Sequence, residues 1–153
     1  MAADRLKVGL DTSCLVPLIC SWHAFHATTA AECERLRRQN VQLVVAVHAL
    51  MECFSVLTRM PMPYRFSPGE AERLVIENFS KDSEIPGIDS AIVWSAIRDL
   101  ALRELYGGRI HDAIIALCTA RAGATVLLTW NVRDFLSIAP PGLEIRQPGF
   151  RYQ

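Results

Sequence analysis

Four acids stand where a carboxylate could do chemistry: Asp11, Glu52, Asp112 and Asp134. Asp11 closes the apolar run "LKVGL", Glu52 lies among Met51, Cys53 and Phe54, Asp112 fronts an almost wholly apolar stretch, and Asp134 follows "LLTWN" closely. Each has an ordinary explanation when taken alone. Asp11 and Asp112 suit helix starts, where a carboxylate caps free N–H groups and complements the helix dipole. Glu52 suits the polar stripe of an amphipathic helix, and Asp134 suits a turn. Taken together they mean more. Carboxylates brought close repel and raise one another's pKa unless a cation neutralises them. The fitting cation is hard and divalent, Mg²⁺ or Mn²⁺. Such an ion can hold a phosphodiester, activate water and stabilise a leaving oxygen.

The elements that would gather these acids can be read from the apolar pattern. "LKVGLD" (6–11), "VQLVVAV" (41–47) and "TVLLT" (125–129) are continuous β-branched or aliphatic runs, as expected of fully buried parallel strands. Helical patterns follow the first strand from Thr12, cover about 23–38, and run from His48 to the stop at "PMP" (61–63). A further helix over 67–79 has Ser67 as cap and Pro68 at its first position. "SEIPGID" reads as a short strand or turn. A helix over 90–105 is closed by Gly107-Gly108, and another spans about 111–121 up to Gly123. "TVLLT" leads into a short helical turn, and "LEIRQP" (143–148) is an edge strand ended by Pro148. This alternation predicts one α/β domain over residues 1–153, a parallel sheet with helices on both faces. In such sheets ligands bind beyond the carboxyl ends of the strands, where Asp11 and Asp134 fall. On the helix after the second strand, His48, Glu52, Ser55 and Arg59 share one stripe.

The 153 residues are 51% hydrophobic, with 16 basic and 16 acidic side chains. That composition supports a proper core and argues against a broad basic face for nucleic acid. Cys14, Cys20, Cys33, Cys53 and Cys118 form no CxxC pair. They read as free buried thiols of a reducing cytosol rather than a zinc site. No apolar run approaches a membrane span, and the N-terminus lacks a signal-peptide core, so a soluble cytoplasmic protein is expected.

"GLDTSCLVPL", "HALMECFSVLTRMP", "GGRIHDAIIALCTARAGATVLLTWNVRDF" and "GLEIRQP", in that order, resemble PIN-domain proteins, most closely bacterial VapC-type toxins. The resemblance spans nearly the whole chain. It implies a three-layer α/β/α sandwich on a short parallel sheet. It also implies a Mg²⁺- or Mn²⁺-dependent ribonuclease that cuts single-stranded or structured RNA, such as tRNA or rRNA, with a metal-activated water. By position, the family's acids fall on Asp11, Glu52 and Asp112, with Asp134 in the fourth region. Asn131 stands where many relatives have an acid. Ser13, Thr129 and Asn131 are expected to hold the geometry of the site. The implied partners are a small VapB-type antitoxin and a second copy of the chain, for which helix 67–79 offers apolar groups.

Arg109, Arg133, Arg121 and Arg59 are the cations nearest these motifs, and Arg109 and Arg133 are expected to contact RNA. Trp130 is expected either to stack on a base or to pack against a helix. His111 reads as a helix-start residue, and His23 and His26 carry no assigned role. Two rivals share the fold: an RNA-processing nuclease that is not a toxin, and a non-catalytic binding module. A haloacid-dehalogenase-type phosphohydrolase needs a second Asp two residues after Asp11, where this chain has Ser13.

Overall fold

A computed structural model describes residues 5–151. Within these residues five short strands form one parallel sheet: β1 (Lys7–Leu10), β2 (Gln42–Val44), β3 (Ser83–Glu84), β4 (Val126–Leu128) and β5 (Glu144–Arg146). Their order across the sheet is β3-β2-β1-β4-β5. Val8 pairs in register with Leu43 on one side and Val126 on the other. The chain therefore steps outward from β1 to β3, then returns to the other flank of β1. The boundary between β1 and β4 is the point where the winding reverses, which in parallel sheets opens a crevice beyond the strand ends.

Among the described residues, seven helices cover the sheet: α1 (Thr12–Ile19), α2 (His26–Arg38), α3 (Val47–Arg59), α4 (Pro68–Phe79), α5 (Ser90–Leu102), α6 (Arg109–Arg121) and α7 (Val132–Leu136). This is the expected three-layer α/β/α sandwich, and β5 is the expected edge strand. Leu10, Leu43, Val44, Leu127 and Leu128 are buried, as central strands covered on both faces require. α3 presents Ala49, Cys53 and Leu57 to the core at four-residue spacing, which turns His48, Glu52, Ser55 and Arg59 the other way. All five cysteines are buried and free, as expected. No helix among the described residues is long and apolar enough to cross a membrane.

Ser67 and Glu70 form a reciprocal capping box at the start of α4, with Pro68 in its first turn, as the sequence predicts. α5 ends earlier than expected, at Leu102. Glu104 adopts a left-handed φ of 54°, and the Leu105 N–H donates to the Leu100 carbonyl at 3.0 Å. That bond satisfies a terminal carbonyl before Gly107-Gly108 is reached. α6 starts at Arg109, two residues before the predicted start, with Gly108 at the cap position, so Asp112 lies at the end of the first turn rather than at the cap.

α6 lies very close to the central strand. A Cβ added to Gly9 would sit 2.2 Å from Thr119 Cγ2. Only glycine lets β1 and α6 approach this far, and that approach places the start of α6 beside the end of β1.

Candidate active site

Asp11 is 3% exposed. Its backbone N–H continues the sheet ladder to the Leu128 carbonyl at 3.1 Å. It holds the N-cap position of α1, yet its carboxylate does not cap that helix. Ser13 Oγ donates to Oδ1 at 2.6 Å, and Thr129 Oγ1 donates to Oδ2 at 2.9 Å. The two hydroxyls are themselves anchored: Ser13 Oγ accepts the Trp130 N–H at 2.8 Å, and Thr129 Oγ1 accepts the Asn131 N–H at 2.9 Å. The loop after β4 is thus laced to the end of β1. Ser13 and Thr129, two of the residues named for the geometry of the site, each hold one oxygen of the Asp11 carboxylate. Asn131 acts here through its backbone, while its exposed side chain lines the cleft.

Glu52 and Asp112 complete the group. A cleft of about 390 Å³ is lined by Asp11, Ser13, Glu52, Asp112, Trp130 and Asn131, among others. A second cleft of about 400 Å³, lined by His48, Glu52, Ser55, Arg59, His111 and Asp112, continues it on the other side of Glu52 and Asp112. The polar stripe of α3 therefore faces a cleft along its whole length. Thr12 Oγ1 donates to Glu52 Oε2 at 3.2 Å. Glu52 Oε1 lies 3.2 Å from His48 Nε2. That nitrogen is aligned instead on His111 Nδ1, 2.8 Å away, so Oε1 is buried without a hydrogen-bond donor.

The electrostatics are those of carboxylates crowded without enough countercharge. Burial pushes the Asp11 carboxyl up to about 7; the Ser13 and Thr129 hydrogen bonds oppose the rise, and Asp112 adds to it. Asp112 is raised to about 6 by burial, then by repulsion from Glu52 and Asp134, against the pull of Arg109 and His111. Burial also lowers His48, partly offset by Glu52. Carboxyls raised in this way are stabilised as anions by a hard divalent ion. The all-oxygen donor set of Asp11, Glu52 and Asp112 fits one.

Asp134 is exposed in the first turn of α7. Its charge reaches Asp112, but its side chain is not among those lining either cleft. Arg109 is tied to α7, donating to the Asp134 carbonyl at 2.5 Å and to Ser137 Oγ. Arg121 pairs with Asp89 at 3.2 Å at the far end of α6, so its nearness in sequence to the motif does not bring it to the site. Arg59 lines the second cleft, and Arg133 is exposed on α7. Trp130 is packed: its ring stacks on Phe25 with centroids 3.9 Å apart, and its Nε1 donates to Thr29 Oγ1 at 3.0 Å. Phe25 is the aromatic on the cleft rim that retains an exposed face. Sequence reasoning missed Phe25 and the contribution of His48 and His111. The spacing of His48 one turn before Glu52, and His111 beside Asp112, was the available signal.

The PIN-domain family model matches residues 8–139. The chain belongs to the PIN-domain family. Its relatives in that family include VapC ribonucleases. It is 34% identical to Ribonuclease VapC27 of Mycobacterium tuberculosis over 113 residues, covering 74% of this chain and 77% of that protein. It is 32% identical to Ribonuclease VapC40 of the same species over 126 residues, covering 82% and 87%. The crystal structure of VapBC2 from Rickettsia felis, bound to a DNA fragment from their promoter, contains a chain of the same fold. The TM-score is 0.68, with 93% of this PIN domain's chain and 98% of that chain covered at 18% identity.

Proposed function

We propose that this protein is a VapC-type toxin, an endoribonuclease dependent on Mg²⁺ or Mn²⁺ and restrained by a small VapB-type antitoxin. The observation that carries the reading is the convergence of Asp11, Glu52 and Asp112 on one cleft at the switch point of a PIN-fold sheet. The names of its VapC relatives support the activity and the toxin class.

Asp11, Glu52 and Asp112 would hold the cation, with Asp134 adding negative charge at the rim. A bound divalent ion supplies positive charge against the scissile phosphate and an activated water. Asp11 is fixed by two hydroxyl donors and acts as an anchor that does not swing. Asp112 is only half-buried and takes the proton of the attacking water at a carboxylate oxygen. Cleavage leaves a 5′-phosphate and a 3′-hydroxyl. Arg59 and Arg133 approach the RNA backbone, and Phe25 offers a face to an unpaired base. Arg109 holds α7 against α6 rather than reaching for substrate. The substrate is an unpaired segment of tRNA or rRNA. A second copy of the chain and the antitoxin are the expected protein partners. Apolar groups such as Ile76 on α4, beside Phe54 on α3, offer contact faces.

The test is incubation of purified, antitoxin-free protein with total RNA and Mn²⁺, followed by sequencing of product ends. Discrete cuts bearing 5′-phosphates support the proposal. RNA left intact by protein that binds Mn²⁺ would favour the non-catalytic binding module.

A further inference from the structure

His48, Glu52 and His111 place one ligand atom each within 4.8 Å of one another. None of the three is supplied by chance proximity within a loop. His48 and Glu52 lie one turn apart on α3, and His111 comes across from the first turn of α6. The two imidazoles stack at 4.9 Å, nearly parallel at 7°, and turn ring nitrogens toward each other. Around a tetrahedral ion with bonds of about 2.0–2.1 Å, neighbouring ligand atoms sit roughly 3.3 Å apart. The 3.2 Å from His48 Nε2 to Glu52 Oε1 already matches. The 2.8 Å between the imidazole nitrogens needs a small opening, which the exposed His111 can provide. Glu52 Oε1 is the second, independent sign: a buried carboxylate oxygen that no donor satisfies, beside two nitrogens, on a side chain that lines a cleft of about 400 Å³.

We propose that His48, Glu52 and His111 form a second cation site, chemically distinct from the acidic one, that takes a borderline transition ion of the Zn²⁺ class. Imidazole nitrogens favour such ions over Mg²⁺, and two histidines with one glutamate leave a fourth position open. Glu52 joins the two sites. Its Oε2 is on the side of Thr12, from which it accepts a hydrogen bond, while Oε1 serves the histidine pair. The site stands whether or not the chain cleaves RNA.

Co²⁺ reports the difference by spectroscopy, because tetrahedral nitrogen-containing sites absorb far more strongly in the visible than six-coordinate oxygen sites. Metal-free full-length protein is titrated with Co²⁺, then with Zn²⁺, for wild type, His111→Ala, His48→Gln and Asp11→Asn, with folding checked by circular dichroism. The expected result is an intense band in wild type that Zn²⁺ displaces. Both histidine variants lose the band and bind Zn²⁺ at least about tenfold more weakly, while Asp11→Asn keeps it. His111 is exposed, so its replacement leaves the fold intact. A band that survives in folded His111→Ala, or no intense band in wild type at saturating Co²⁺, overturns the site. Failure of the nuclease reading would show separately, as intact RNA in the cleavage assay.

Discussion

Thr129 Oγ1 donates a 2.9 Å hydrogen bond to Asp11 Oδ2 across the boundary where the winding of the sheet reverses. The same hydroxyl oxygen accepts the Asn131 N–H. One buried side chain thus aims the anchoring carboxylate and shapes the loop that leads to Asp134. Thr129→Val keeps the volume and removes both bonds. It should cost about 1–3 kcal/mol of stability and lower RNA cleavage by about 10–100-fold. Urea denaturation and single-turnover cleavage measure the two effects.

The raised carboxyls make stability depend on pH. In the metal-free native state Asp11 titrates near 7 and Asp112 near 6, whereas unfolded Asp titrates near 3.9. Between these values the native state holds more protons, so stability falls as pH rises from about 4 toward 7. The loss is on the order of a few kcal/mol. Mn²⁺ should offset it by binding the ionised native state. Melting temperature against pH, with Mn²⁺ and with EDTA, tests this. A metal-free curve that climbs steadily through that range would contradict the electrostatics described above.

Gly9→Ala should be destabilising without touching any acid. The added methyl meets Thr119 Cγ2 in the closest packing between β1 and α6. Overpacking of this kind costs typically about 1–3 kcal/mol. Chemical denaturation should show a lowered midpoint with an unchanged slope.

Phe25→Ala should weaken RNA binding more than it slows the chemical step, since its exposed face lies on the rim and not at the acids. Loss of one stacked base is worth about 1–3 kcal/mol. Arg59→Ala should weaken binding and reduce its salt dependence by about one phosphate. Arg121→Ala, whose partner is Asp89, should do neither. Filter-binding titrations across salt concentration separate these outcomes.

The strands and most helices were legible because continuous apolar runs and capping residues carry a local signal. Ser67, Pro68 and Glu70 announce α4 from sequence alone. The end of α5 was not legible, because a left-handed Glu104 has no compositional signature. Asp11 and Asp112 could be singled out by their positions against apolar runs. Ser13 and Thr129 could be named only through the family resemblance, and which carboxylate oxygen each one meets is set by packing, since the Thr129 donor lies 118 positions from Asp11. Sequence proximity misplaced Arg121, because a helix of thirteen residues carries its two ends about 18 Å apart. The pairing of His48 with His111 joins α3 to α6 across 63 residues, a relation that only packing reveals.

In the proposed nuclease, Asp112 and its neighbours hold a divalent ion that RNA cleavage requires. The most direct measurement pairs Mn²⁺ binding with RNA cleavage for wild type and Asp112→Asn in the same preparation, with EDTA as control. Wild type should make discrete cuts that vanish with EDTA, and Asp112→Asn should be folded, bind Mn²⁺ weakly and cut at least about a hundredfold more slowly. Equal cutting by Asp112→Asn, or cutting that persists in EDTA, would contradict it.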